Sequence, residues 1–65
     1  MLQMIVYETI KRDVCGELRY EFASETAARA DCEVGDRYAV WLNDGKRDKL
    51  LARYQRTAEG WLRLI

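Results

Sequence analysis

The sequence predicts a small α+β domain: a mostly antiparallel sheet of about five strands in the order ββαβββ, with one short helix on one face. Three observations carry this prediction. Glu17-Leu18-Arg19-Tyr20-Glu21-Phe22 alternates charged and apolar residues without a fault, the period of a half-buried strand. Ser24 to Gly35 begins on a helix-capping residue and ends on a helix-stopping one. Asp13-Val14-Cys15-Gly16, Asp44-Gly45 and Thr57-Ala58-Glu59-Gly60 break the rest of the chain into strand-length pieces.

Residues 3–11 are rich in Met, Ile, Val, Tyr and Thr, side chains that suit a pleated surface, and form the first strand. With 17–22 they make a hairpin in which Leu18, Tyr20 and Phe22 share one face and Glu17, Arg19 and Glu21 the other. Ser24 then caps a helix whose first turn holds Glu25, where the helix dipole favours negative charge. Ala23, Ala27, Ala30 and Val34 give that helix a narrow apolar stripe, and Gly35 its stop. Glu25–Arg29 and Arg29–Glu33 are i,i+4 pairs of opposite sign. At about ten residues such a helix is marginal alone, so it must lie against the sheet.

Arg37–Asn43 reads as the third strand. Lys49–Thr57 reads as the fourth, with Leu50, Ala52 and Tyr54 on its inner face, and Trp61–Ile65 as the fifth. A helical stripe through Leu50, Leu51, Tyr54, Ala58, Trp61, Leu62 and Ile65 competes over residues 48–65. Gly60 costs roughly 1 kcal/mol inside a helix, and with the two turn signals it favours strands.

With 65 residues and 7.7 kDa the chain is a single domain spanning 1–65. It buries only roughly 60% of its unfolded surface, so the core is thin and any site lies on the surface. There is no histidine, which removes the commonest general base and metal ligand. Cys15 and Cys32 lack a C-x-x-C partner, so neither zinc nor an iron–sulfur cluster is expected, and no cofactor of any kind. The two thiols are expected to be reduced. Cys15 without a base is a poor nucleophile, and Ser24 is a cap. Glu17 and Glu21 read as a solvated strand face, and no enzyme is expected. The longest uncharged stretch, Met1 to Tyr7, is far short of the roughly 20 residues that span a bilayer. No signal peptide is visible, so a soluble cytoplasmic protein is expected.

Charge balances overall, with eleven basic and eleven acidic residues, but not along the chain. Residues 1–36 carry four bases against eight acids, and residues 37–65 seven bases against three. Either the halves neutralise each other, or one presents a charged face to a partner. If Tyr38, Val40 and Leu42 point at the helix, strand alternation sends Arg37, Ala39, Trp41 and Asn43 to the other face. The same alternation sends Lys49, Leu51, Arg53 and Gln55 there, and then Trp61 and Arg63. Arg37, Trp41, Lys49, Arg53, Trp61 and Arg63 would thus form one basic, aromatic contact surface of the kind found at interface hot spots. Glu17, Glu21, Glu25 and Glu33 are the competing acidic surface, able to mimic phosphate charge.

These residues suit a small non-enzymatic protein-binding module that occupies a surface of a larger complex. A phage- or mobile-element-encoded inhibitor of the anti-CRISPR type, acting in the host cytoplasm on a nucleic-acid-handling complex, is its expected form. The alternative is a module that binds single-stranded nucleic acid by stacking bases on the tryptophans. Its counterweight is a pI near 6.2. A homodimer through two such sheet faces is a third use of the same patch, and no membrane partner is expected.

Overall fold

The computed structural model describes residues 3–65 of the chain. Met1 and Leu2, the start of the apolar stretch to Tyr7, lie outside the described residues. Five strands and one helix follow in the expected order: β1 (Met4–Asp13), β2 (Gly16–Phe22), α1 (Glu25–Asp31), β3 (Arg37–Asn43), β4 (Asp48–Thr57) and β5 (Gly60–Arg63). They form one antiparallel sheet ordered β2-β1-β3-β4-β5, and residues 48–63 are strands rather than a helix.

Two short loops fix the register at both ends of the sheet. Val14 and Cys15 separate β1 from β2, so Asp13 pairs with Gly16 and Thr9 with Tyr20. Ala58 and Glu59 separate β4 from β5, so Thr57 pairs with Gly60 and Arg56 with Trp61. Between β3 and β4 the register slips after Val40, which sits opposite Ala52, while Trp41 sits opposite Leu50. Leu51 is the extra residue of this bulge, and from there to Asp48 the alternation of β4 is reversed. Leu50 therefore shares a face with Trp41 instead of pointing inward with Ala52 and Tyr54.

The helix is seven residues long rather than about ten, and its buried row is not the expected one. Ser24 caps it through the Ala27 amide, as the sequence implies. Cys32 already has extended backbone at the other end, and its N–H bonds to the Arg29 carbonyl. Asp36 explains the early stop. Its carboxylate accepts the Glu33 amide at 2.9 Å, and its own N–H returns to the Glu33 carbonyl, folding residues 33–36 into a turn. Gly35 serves that turn at φ +97°, not the helix end, and Val34 is left 65% exposed. Ala28 and Cys32, four residues apart, face the sheet, while Ala23, Ala27 and Ala30 are exposed.

What the helix packs on is Tyr38, which is fully buried with Ala28 and Cys32. The ring stacks on Tyr54 at 5.1 Å and meets the edge of Trp61 at 5.2 Å. Its hydroxyl donates to Glu25 Oε2 and accepts from Arg29 Nε, both at 2.9 Å, so one side chain joins the sheet to two turns of the helix. Thr9, also fully buried, donates to Asp31 Oδ2 at 3.1 Å. Lys11 Nζ reaches Asp36 Oδ2 at 2.9 Å and Asp31 at 3.9 Å, tying β1 to the segment after the helix. Cys15 is exposed and Cys32 buried, and both are free. Burial pushes the Cys32 thiol up, which keeps it in the unreactive protonated form.

Two stability effects follow. Tyr38→Phe removes hydrogen bonds to two charged groups, and urea unfolding should show a loss of about 1.5–3 kcal/mol. Tyr20→Phe, at an exposed site, should change stability by less than about 0.5 kcal/mol. The second effect is pH dependence. Burial alone would raise the Asp36 carboxyl, but the Glu33 amide and the Lys11 ammonium outweigh it and hold it below the usual carboxylate range. The hydrogen bond to Asp36 in turn raises Lys11. A carboxyl depressed on folding contributes stability that is present above its unfolded pKa and lost as pH falls through the folded one. Asp36→Asn keeps an acceptor for the Glu33 amide but abolishes the charge. Its stability should fall less steeply than wild type as pH drops below about 4.

Candidate functional site

Register sorts the strand residues onto two faces. Tyr7, Thr9 and Lys11 of β1 share the helix side with Tyr20, Phe22, Tyr38, Val40, Ala52 and Tyr54. Val6, Glu8, Ile10, Glu17, Arg19, Glu21, Arg37, Ala39, Trp41, Arg53 and Gln55 point the other way. Among the described residues no helix lies on this second face. Ile10 and Ala39 are nevertheless buried there, because long side chains flank them in register: Arg19 and Arg37 beside Ile10, Glu8 and Arg53 beside Ala39.

Those long side chains form a chain of alternating charge across three strands. Trp41 Nε1 donates to Glu8 Oε1 at 3.3 Å, and Arg19 Nη1 donates to the same oxygen at 3.1 Å. Arg19 Nη2 meets Glu17 Oε1 at 3.2 Å, and the second Glu17 oxygen accepts from Arg37. Between Val6, Glu8, Arg19, Glu21, Trp41 and Asp48 lies an open depression of about 200 Å³. Arg53 stands apart: its Nε is buried with no hydrogen-bond partner.

Of the six residues expected to form one contact surface, the structure brings together Arg37, Trp41 and Arg53. Trp61, Arg63 and Lys49 are on the helix side. The two-residue loop places Trp61 opposite Arg56, in phase with Tyr54, so its ring packs on Tyr38 with the guanidinium carbons of Arg29 and Arg56 at 5.2 and 5.6 Å. Arg63 lies opposite Tyr54, its guanidinium carbon 5.8 Å from that ring. Lys49 is turned over by the Leu51 bulge and sits opposite Leu42.

The acidic alternative is likewise divided. Glu17 and Glu21 lie on the uncovered face, and Glu17 is neutralised by two arginines. Glu25 belongs to the helix layer and is held by Tyr38, while Glu33 lies beyond the helix with its amide on Asp36. Glu8, which organises the uncovered face, was not singled out by sequence. Its place in β1 next to Thr9 and Ile10 gives no sign that Trp41 and Arg19 converge on it.

The halves of the chain do not neutralise each other. Of the six ion pairs among the described residues, only Arg37–Glu17 joins the first 36 residues to the rest. Lys46, Arg47, Lys49, Arg53, Arg56 and Arg63 form none. They do not form a stripe: Lys46 and Arg47 lie in the β3–β4 loop, Arg53 on the uncovered face, and Lys49, Arg56 and Arg63 on the other.

Among the described residues no three metal-ligating side chains come together, and no helix is long and apolar enough to cross a membrane. No family model matches this sequence, and neither does a curated protein or a solved structure.

Proposed function

We propose that this chain is a non-enzymatic protein-binding module that occupies a surface of a larger complex through the uncovered sheet face, centred on Trp41, Arg37 and Arg53. The observation that carries the reading is Trp41, held by Glu8 beside an open depression, with Arg37 and Arg53 on the same face of alternating charge. Tryptophan and arginine are the side chains that dominate interface energetics when a partner completes their desolvation. Trp41 is half-buried beside an open depression, so a partner can complete its desolvation. Beside it, Glu21 and Asp48 on the rim of the Trp41 depression make no ion pair among the described residues and suit a lysine or arginine of that partner. An inhibitor of the anti-CRISPR type, seated on a nucleic-acid-handling complex, is the specific form this module takes in our reading.

Single-stranded nucleic acid is the second reading, favoured by seven cations that make no ion pair among the described residues, those six and Arg12. Against it, those cations are spread over a loop and both faces, and Arg29 and Arg56 already lie over the Trp61 ring on which a base would stack. Arg19 and Arg37 of the uncovered face already pair with carboxylates of the same chain, which a phosphate would have to displace.

A tagged pull-down from lysate of the source cell or its host, in nuclease-treated and untreated halves, separates the readings. A stoichiometric protein should survive nuclease and moderate salt. Trp41→Ala, with an unchanged circular dichroism spectrum, should weaken its binding by about 30-fold or more. Recovery that requires nucleic acid and falls steeply with salt would replace this reading by the second. Full retention of the protein by Trp41→Ala would show that the contact surface lies elsewhere.

A further inference from the structure

The two edges of the sheet are treated differently. At one edge β5 has only four residues, and the stretch of β4 beyond it carries a bulge at Leu51 with Asp48 and Lys49 exposed. Shortness, bulges and edge lysines are the devices that keep a strand from pairing with another chain. At the other edge β2 is longer and has no bulge, and its charges, Glu17, Arg19 and Glu21, alternate in sign so that a second copy can match them. It pairs with β1 in unbroken register from Gly16 to Phe22, has neither proline nor lysine, and is exposed along six of its seven residues. Leu18 and Tyr20 on it are 43% and 47% exposed.

We propose that β2 pairs with the β2 strand of a second copy of this chain, antiparallel and centred on Tyr20, joining two sheets edge to edge. The register follows from the hairpin. A two-residue loop makes Asp13 and Gly16 a hydrogen-bonded pair, so Leu18 and Tyr20 direct their main-chain groups to β1 and Glu17, Arg19 and Glu21 direct theirs outward. A two-fold axis at Tyr20 sets Arg19 of each copy against Glu21 of the other, and the two pairs exchange about four main-chain hydrogen bonds. On the uncovered face both contacts are opposite in sign. On the helix side Leu18 meets Phe22, and Tyr20 meets itself.

Glu21 has a reason to take that partner. It makes no ion pair within the described chain and sits opposite Glu8 on β1, a like-charge pairing that a second arginine relieves. An axis at Arg19 would instead oppose Arg19 to itself and Glu17 to Glu21. An axis at Leu18 would leave Glu21 facing the turn.

Charge exchange tests this directly. Sedimentation velocity should show a wild-type dimer whose fraction rises with concentration. Arg19→Glu and Glu21→Arg should each weaken the dimer by about tenfold or more, since each sets like charges together in both pairs. The two variants mixed should form a heterodimer, and the double variant R19E/E21R should dimerise as wild type does. Recovery by mixing also shows that each single variant is folded. The proposal is overturned by a wild-type chain that stays monomeric at every concentration, by single variants that dimerise undiminished, or by a mixture that does not recover. An axis at Leu18 would show itself as a double variant that fails, because Glu17 would then face a glutamate.

Discussion

Tyr38 carries two tasks that a thin two-layer domain must combine. Its ring is fully buried between Ala28, Cys32, Tyr54 and Trp61, and this is most of the core that a chain of this size can assemble. Its hydroxyl lies where the helix must be held, and meets both Glu25 and Arg29. A seven-residue helix has little stability of its own. It persists because its alanine and cysteine rest on that ring while its charged residues grip the hydroxyl. The raised pKa of Tyr38 has the same origin: burial disfavours the phenolate, and Glu25 beside it adds to this against the opposing pull of Arg29.

So small a helix covers one face of the sheet, and the other is stabilised differently. Ile10 and Ala39 are screened there by the stems of arginines and glutamates, whose charged ends pair in sequence from Trp41 to Arg37. Exposed ion pairs contribute only about 0–1 kcal/mol each, so this network does little for stability. It orients side chains around Trp41, and among the described residues it leaves Arg12, Glu21, Asp48 and Arg53 of that face without counterions. Of these, Arg53 on the face and Glu21 at the edge are the points we assign to a partner.

The element order was legible because local signals were strong: the charged–apolar alternation of β2, the Ser24 cap, and glycines at each turn. The helix length was not. Its end is set by Asp36, a residue beyond it whose carboxylate captures the Glu33 amide, and no stretch of sequence announces that contact. The candidate surface was half legible. Arg37 and Trp41 follow from simple alternation in β3, and Arg53 follows as long as pairing with β3 is regular. Simple alternation puts Trp61 on the wrong face although the two-residue loop before it implies the right one, because pairing Thr57 with Gly60 forces Trp61 into phase with Tyr54. Lys49 was hidden more deeply. A bulge reverses alternation without any glycine to mark it, and Leu51 looks like any strand residue.

The separation of the two tryptophans is therefore the claim on which the functional surface stands: Trp41 on the open face, Trp61 in the core beside Tyr38. Two-dimensional NOE spectroscopy measures it directly. The Trp61 indole protons should show contacts to the Tyr38 ring and the Arg29 side chain, and the Trp41 indole to Val6 and Glu8. Contacts from Trp61 to Arg53 or Gln55, with none to Tyr38, would put both tryptophans on one face and contradict the structure described above.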